Sequence, residues 1–442
     1  MAALSSNSSL DWASLPMEVF HSILDKLEFV ADCMSFNAVC TEWRNASCEK
    51  LEQVRANHKR HCSNHKRHCS DHQQLPLLMV PTSDSSRERS ALLYDVTQKG
   101  GCKFYLRLPE ARCRGSSHGW LIVVDPSFKV ILVNPHSRKF IHLPVLQRLV
   151  FETGSNYLLH ALIPFRCVLS VDPDENPNEY VLMVIYGSQN RLAFIKSGDT
   201  HWSYIDKNHC DDLNFFTTTD SDSIFIDRES WNLKDIVYKD GLFYVLEQQG
   251  QLLSCDVSGT LKVERVTPPD TLHWTNRDKT YLVESPQGHL FRVIKVVDDD
   301  RTTVGFVIYK LIYSLGNPRW TEVKSLGDVA LFLGDNHSIS VVASDFPSCQ
   351  PNSIYFCEHY HEFYSLPDDR YDVGVFSLLD GTITPIYPYS RKMMQPRRLM
   401  LCSFWFSPCP AHLKSIQRCK EEDVHYCHIF VYACRFFNGR IH

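Results

Sequence analysis

Nowhere in this chain do 18 consecutive apolar residues occur, and the first residues, MAALSSNSSLDWASLP, lack a basic stretch followed by an apolar core. These two absences predict a protein that is neither secreted nor membrane-spanning. An excess of one charge is also missing: 46 Lys and Arg face 51 Asp and Glu, a formal charge of −5. The aromatic residues are not interleaved with basic stripes, so nucleic acid is not an expected partner, and neither is a membrane. No glycine-rich loop followed by Lys and a hydroxyl residue is present to cradle a phosphate. There are 17 cysteines, and without an export signal they are expected to stay reduced, most of them as small core residues such as Cys33, Cys167 and Cys255. The acceptor tripeptides at Asn45 and Asn336 are for the same reason not expected to carry glycans.

What is present begins with Ser14 to Asn45. Leu15, Val19, Ile23, Leu24 and Leu27 recur at three- and four-residue steps, which places them on one helical face. Pro16 fits only a first turn, Ser14 can cap the free N–H groups ahead of it, and Glu18 suits the positive end of the helix dipole. Asp32 can cap a second short helix, and Cys33, Phe36, Val39, Cys40 and Trp43 supply apolar positions for it and a third. Three short helices of about 40 residues bury too little surface to be stable alone, so part of the apolar face has to be covered by another surface.

Leu15-Pro16, Val19, Ile23, Leu27, Asp32, Phe36, Val39-Cys40 and Trp43-Arg44 together resemble the F-box pattern in type and spacing. The resemblance implies a module that docks onto a Skp-type adaptor and thereby joins cullin and RING subunits in a ubiquitin ligase. Leu15, Pro16, Val19, Ile23 and Trp43 are the residues it assigns to adaptor binding or to shaping that face. Ile23 and Trp43 serve equally well as the module's internal core.

Past Lys50 the pattern collapses into a tandem heptad, HKRHCSN then HKRHCSD, over residues 58–71. From Leu75 to about Pro410 short apolar runs alternate with Gly, Asp, Asn and Pro, the signature of strands and turns. WLIVVD from Trp120, KVILVNP from Lys129, EYVLMVIYG from Glu179, RLAFIK from Arg191 and DIVYKDGLFYVLE from Asp235 belong to this series, as do QLLSCDVSG from Gln251, HLFRVIKVV from His289, VGFVIYKLI from Val304, SISVVAS from Ser338 and DVGVFSLLDG from Asp372. About ten strands are legible, with no long helix among them. A loose repeat of a strand pair and then an aromatic near a third strand, at His201-Trp202 and Arg319-Trp320, predicts a propeller of six or seven blades of kelch-like type. A pair of β-sandwiches is the alternative. The expected organisation is therefore α+β and multidomain: a helical module over 11–50, a His/Cys-rich linker over 51–74, an all-β domain over 75–410 and an atypical tail over 411–442.

PLLMVP at Pro76, LPEARCRGSSHGWLIVVD at Leu108 and VNPHSRKFIHLP at Val133 resemble the C-terminal domain of a large plant family of F-box proteins, often described as kelch-like. The family resemblance says nothing about a substrate.

Other constellations carry less. Gly115-Ser116-Ser117-His118-Gly119 fits the Gly-x-Ser-x-Gly elbow of hydrolases, but an elbow needs a strand before the serine and a helix after it, whereas here a basic loop is expected first and a strand from Trp120. The seven His and Cys of residues 58–72 suggest zinc, yet Lys59, Arg60, Lys66 and Arg67 oppose a cation and no second cysteine pair completes a site. A solvated linker is expected instead. The acidic clusters at Asp211-Asp212, Asp298–Asp300 and Asp368-Asp369 read as turns. No cofactor or metal is expected. The protein is predicted to be a non-enzymatic substrate receptor of an SCF-type ligase in the cytoplasm, the nucleus or both. Two alternatives stand beside it: a β domain that binds a small molecule or catalyses, with the F-box controlling turnover, and an F-box interaction protein outside any ligase.

Overall fold

Two compact units make up the chain, residues 1–73 with 409–423 and residues 74–408 with 424–442. This computed structural model describes Val19, residues 75–386 apart from stretches that include 83–88, 95–103, 109–111, 125–128, 135–138, 147–165, 207–232, 270–278 and 360–370, and then 404–406 and 428–429. In the first unit Val19 is the described residue; it is helical and 40% exposed. The rest of the expected three-helix module and the His/Cys linker lie outside the described residues.

Among the described residues the second unit is built of six sheets, antiparallel apart from two parallel pairs, Val329–Gly334 with Ser353–His359 and Phe104–Leu108 with His428–Ile429. In chain order, β1 (Leu77–Thr82), β2 (Arg89–Tyr94) and β3 (Phe104–Leu108) belong to blade A. Blade B is β4 (Arg112–Ser117), β5 (Trp120–Val124), β6 (Lys129–Asn134) and β7 (Lys139–Val145). Blade C is β8 (Arg166–Leu169), β9 (Val181–Tyr186), β10 (Arg191–Lys196) and β11 (Ser203–Ile205). Blade D is β12 (Leu233–Lys239), β13 (Leu242–Glu247), β14 (Leu252–Asp256) and β15 (Lys262–Thr267). Blade E is β16 (Lys279–Glu284), β17 (Leu290–Val297), β18 (Thr303–Ser314) and β19 (Asn317–Val323). Blade F, in spatial order β21 (Ile339–Val342), β20 (Val329–Gly334), β22 (Ser353–His359), β23 (Tyr371–Ser377) and β24 (Ile383–Pro385), departs from the meander, because β20 and β22 run parallel. Two late strands return to blade A: β25 (Phe404–Phe406) pairs with β1, and β26 (His428–Ile429) pairs with β3.

The sheets form a closed ring. β4 packs beside β8, β8 beside β12, β12 beside β16 and β16 beside β21; β20 and β22 then meet β25, and β25 meets β4. This is a β-propeller of six blades, and the alternative of paired sandwiches falls, since a sandwich has two stacked layers rather than a radial series.

The core lies between blades, and this explains the sequence pattern. Both faces of an inner sheet are covered, so its strands read as unbroken apolar runs rather than as alternating ones. Along β9, Leu182, Val184 and Tyr186 enter the cluster shared with blade B, whereas Met183 and Ile185 enter the cluster shared with blade D. In β20, Ala330 and Phe332 face the blade A side and Leu331 and Leu333 the blade E side. Cys167 and Cys255 are buried within these clusters, as their sequence context suggested.

Three sequence expectations need correction. The run from Asp235 is two strands, split by Asp240-Gly241 with φ of 50° and 85°, which form a tight hairpin turn. Residues 112–117, expected as a basic loop, form strand β4. The repeated tryptophans belong at the fourth strand of their blades rather than the third: Trp202 precedes β11 and Trp320 lies within β19.

Candidate functional site: the polar hub at the axis

The innermost strands of a propeller converge on its axis, and here they carry polar groups that bond across blades. Arg166, at the start of β8, is buried and donates through Nη1 to the carbonyls of Gly334, at 2.7 Å, and Asn336. Its Nε lies 3.6 Å from Asp235 Oδ1 on β12 and donates to the Lys234 carbonyl at 3.4 Å. The Asp235 carboxylate accepts from the Ile236 N–H at 2.9 Å, from the Leu282 N–H of blade E at 2.8 Å and from the Ser338 hydroxyl at 3.4 Å. Burial holds this carboxyl above the ordinary carboxylate range, against the opposing pull of Arg166 and the three donors.

Asn336 extends the hub to the remaining blades. Its amide nitrogen donates to the Trp405 carbonyl at 2.9 Å and to the Ser116 hydroxyl at 3.4 Å, and Ser116 itself donates to the Trp405 carbonyl at 3.0 Å. The Trp405 indole N–H reaches the Leu333 carbonyl at 2.8 Å, its ring packed edge-on against Phe332. Space is tight here: a Cβ on Gly115 would meet the Asn336 Cβ at 3.1 Å, which is why β4 carries glycine at that point. One guanidinium, one carboxylate, one amide and one indole thus join all six blades.

This arrangement does structural rather than chemical work. Each oxygen of Asp235 accepts hydrogen bonds and Arg166 is committed to two carbonyls and a carboxylate, so neither is disposed as an acid, base or anion receptor. Ser117 sits in the Gly-x-Ser-x-Gly stretch, but strand β4 precedes it and, after the His118-Gly119 turn, strand β5 follows. Its oxygen accepts from the Leu169 N–H at 3.1 Å and lies 3.1 Å from His118 Nδ1. The strand-to-helix context of a nucleophile elbow is missing. Asp298 is a turn residue: its carboxylate accepts from the Thr302 N–H at 2.8 Å, as the sequence predicted. Asp211, Asp212, Asp368 and Asp369 lie outside the described residues.

Of the residues assigned to adaptor binding, Leu15, Pro16, Ile23 and Trp43 lie outside the described residues, and Val19 is helical and exposed. The hub residues were not anticipated. The available signal was a charge set at the start of an apolar run, Arg166 before Cys-Val-Leu and Asp235 before Ile-Val-Tyr. Asn336, which stands in an acceptor tripeptide not expected to carry a glycan, is 1% exposed with its amide nitrogen bonded, so no transferase can reach it in the folded chain.

Fold and hub define a six-bladed β-propeller whose axis is closed by side-chain bonds. Residues 93–377 match the KIB1-4 beta-propeller family, and the chain belongs to that family. It is similar to F-box protein SKIP23 of Arabidopsis thaliana, 26% identical with 85% of this chain and 91% of that protein covered. It is likewise similar to Putative F-box protein At5g55150 of the same plant, 24% identical over 90% of this chain and 98% of the relative, and to Probable F-box protein At4g22060, 23% identical over 83% and 89%.

Proposed function

We propose that this protein is the substrate-recognition subunit of an SCF-type cullin–RING ubiquitin ligase. One observation carries the reading: the Leu15-Pro16 to Trp43-Arg44 pattern stands ahead of a propeller whose relatives, aligned over 83–90% of this chain, are named F-box proteins. Residues 11–50 bind a Skp-type adaptor, with Leu15, Pro16, Val19, Ile23 and Trp43 on or beneath the binding face. The kelch-like propeller holds a protein substrate. Its contribution is proximity: tethering raises the effective concentration of substrate lysines near the charged conjugating enzyme, and bond-making belongs to other subunits. It works in the cytoplasm, the nucleus or both.

The test is co-purification of the full chain and its Leu15→Ala/Pro16→Ala variant with a Skp-type adaptor and a cullin. Capture by the wild type and loss in the variant, with the β-sheet circular dichroism unchanged, is the expected result. Equal capture of both, or of neither, overturns the proposal.

A further inference from the structure

The innermost strands carry cations near their starts that the hub does not use. β4 has Arg114, β12 has Lys234 and β16 begins at Lys279, alongside Arg166 at the start of β8. These starts share one end of the propeller: Arg166 Nε donates to the Lys234 carbonyl, the Arg114 charge acts on the Cys167 thiol, and Lys234 and Lys279 act on each other. The strands finish together at the other end, where Lys239 of β12 pairs with Glu284 of β16 and the Glu284 carbonyl accepts from Ser340 of β21.

The two ends differ in charge. At the finishing end acids are plentiful and the lysines have partners: Asp172 and Asp174 follow β8, Asp240 follows β12, Lys239 pairs with Asp240 and Glu284, and Lys139 pairs with Asp174. At the starting end Arg166 is neutralised by Asp235, but neither Arg114 nor Lys234 makes an ion pair among the described residues. Arg114 Nε is shut off from solvent without a hydrogen bond. Lys234 is half-buried, and burial, with Lys279 beside it, holds its amine below the ordinary lysine range against the pull of Glu247. In a chain of formal charge −5 this is a local concentration of positive charge, and a carboxylate brought to it offsets the repulsion between the cations.

The spacing of the cations sets the size of the ligand. β8 and β12 lie between β4 and β16 in the ring, so Arg114 and Lys279 stand on opposite sides of it. A single phosphate or carboxylate meets one side of the ring, whereas a segment of chain with several carboxylates meets both. We propose that the end of the propeller at which the inner strands start is the docking surface for an acidic segment of the protein substrate, its carboxylates met by Arg114, Lys234 and Lys279. This rests on the reading of the propeller as a substrate holder, and adds which end takes the substrate and what charge the substrate carries.

The test is fluorescence anisotropy of a fluorescein-labelled decapeptide of Glu and Asp, titrated with the full chain. Binding that weakens with added salt is expected, reduced about tenfold in Lys234→Gln/Lys279→Gln. It should be unchanged in Lys139→Gln/Lys262→Gln, which removes two cations paired with Asp174 and Glu264. If the first variant loses its β-sheet circular dichroism, Arg114→Gln carries the comparison, with a loss of about threefold. No binding by the wild type, equal loss in the two double variants, or preference for tripolyphosphate or a single-stranded oligonucleotide over the peptide overturns the proposal. The adaptor takes no part in this measurement, so Leu15→Ala/Pro16→Ala should bind the peptide as the wild type does. Adaptor capture without peptide binding overturns the docking surface and leaves the receptor reading standing; peptide binding without adaptor capture supports the surface and overturns the ligase reading.

Discussion

Arg166 and Asp235 are charges that the fold neither exposes nor can lose singly. Each is buried, and each makes hydrogen bonds to blades other than its own. Removing one leaves the other buried without compensation, so Arg166→Ala is expected to destabilise the propeller by about 3–5 kcal/mol in urea unfolding, with the double variant Arg166→Leu/Asp235→Leu costing clearly less than the sum. The pH response has a fixed sign. The folded pKa of Asp235 lies above the unfolded one, so the ionised form is the one that folding disfavours, and the native state gains as pH falls from neutral through the folded pKa. Tm of the wild type should therefore rise relative to that of Asp235→Asn as pH is lowered from 7 toward the ordinary carboxylate range, about pH 4. At Cys167, burial pushes the thiol pKa up to about 12, so it should resist a disulfide reagent at pH 8 until the chain is unfolded; fast labelling of the native protein would contradict this.

At the scale of elements, tryptophans act as ties between neighbouring blades. The Trp202 indole N–H donates to the Pro144 carbonyl of blade B at 2.9 Å, and that of Trp320 to the Gly250 carbonyl of blade D at 2.8 Å. Both sit at the outer strand of one blade and reach the blade before it. Replacing either by Phe should cost about 1 kcal/mol, and the two costs should add because the sites share no partner. Blades E and F are tied differently, by Lys295 Nζ on Asp372 Oδ2 at 2.8 Å beneath the Phe356 ring. What sequence could show follows from burial. Inner strands such as Trp120–Val124 and Val181–Tyr186 are covered on both faces and announce themselves as apolar runs. Outer strands such as Lys262–Thr267 and Asn317–Val323 face solvent over much of their length, and their mixed residues form no apolar run. The His-Trp and Arg-Trp repeat was visible, but not its purpose, because a bond to a backbone carbonyl in another blade leaves no residue type to recognise. The hub was hidden for the same reason: Gly334, Leu333 and Trp405 accept through their main chains.

For the whole molecule the decisive element is β25, which places Trp405 against β1 and beside β4. Trp405→Ala removes a fully buried ring and its bond to Leu333, and should cost about 3–5 kcal/mol, measured as a lower midpoint in urea. Because β1 comes early in the chain and β25 late, blade A is a sheet whose strands are separated by the entire propeller. During synthesis the ring therefore stays open until the last inner strand has left the ribosome, with the edge of β1 and the apolar cluster that Trp405 joins uncovered throughout. A message truncated before the codon for Phe404 would consequently yield a polypeptide that retains every residue of the Leu15 to Arg44 pattern yet has no closed propeller behind it. If residues 11–50 bind an adaptor as proposed, such a product would compete for it while presenting nothing, and an early stop would act as a dominant inhibitor rather than as a simple loss.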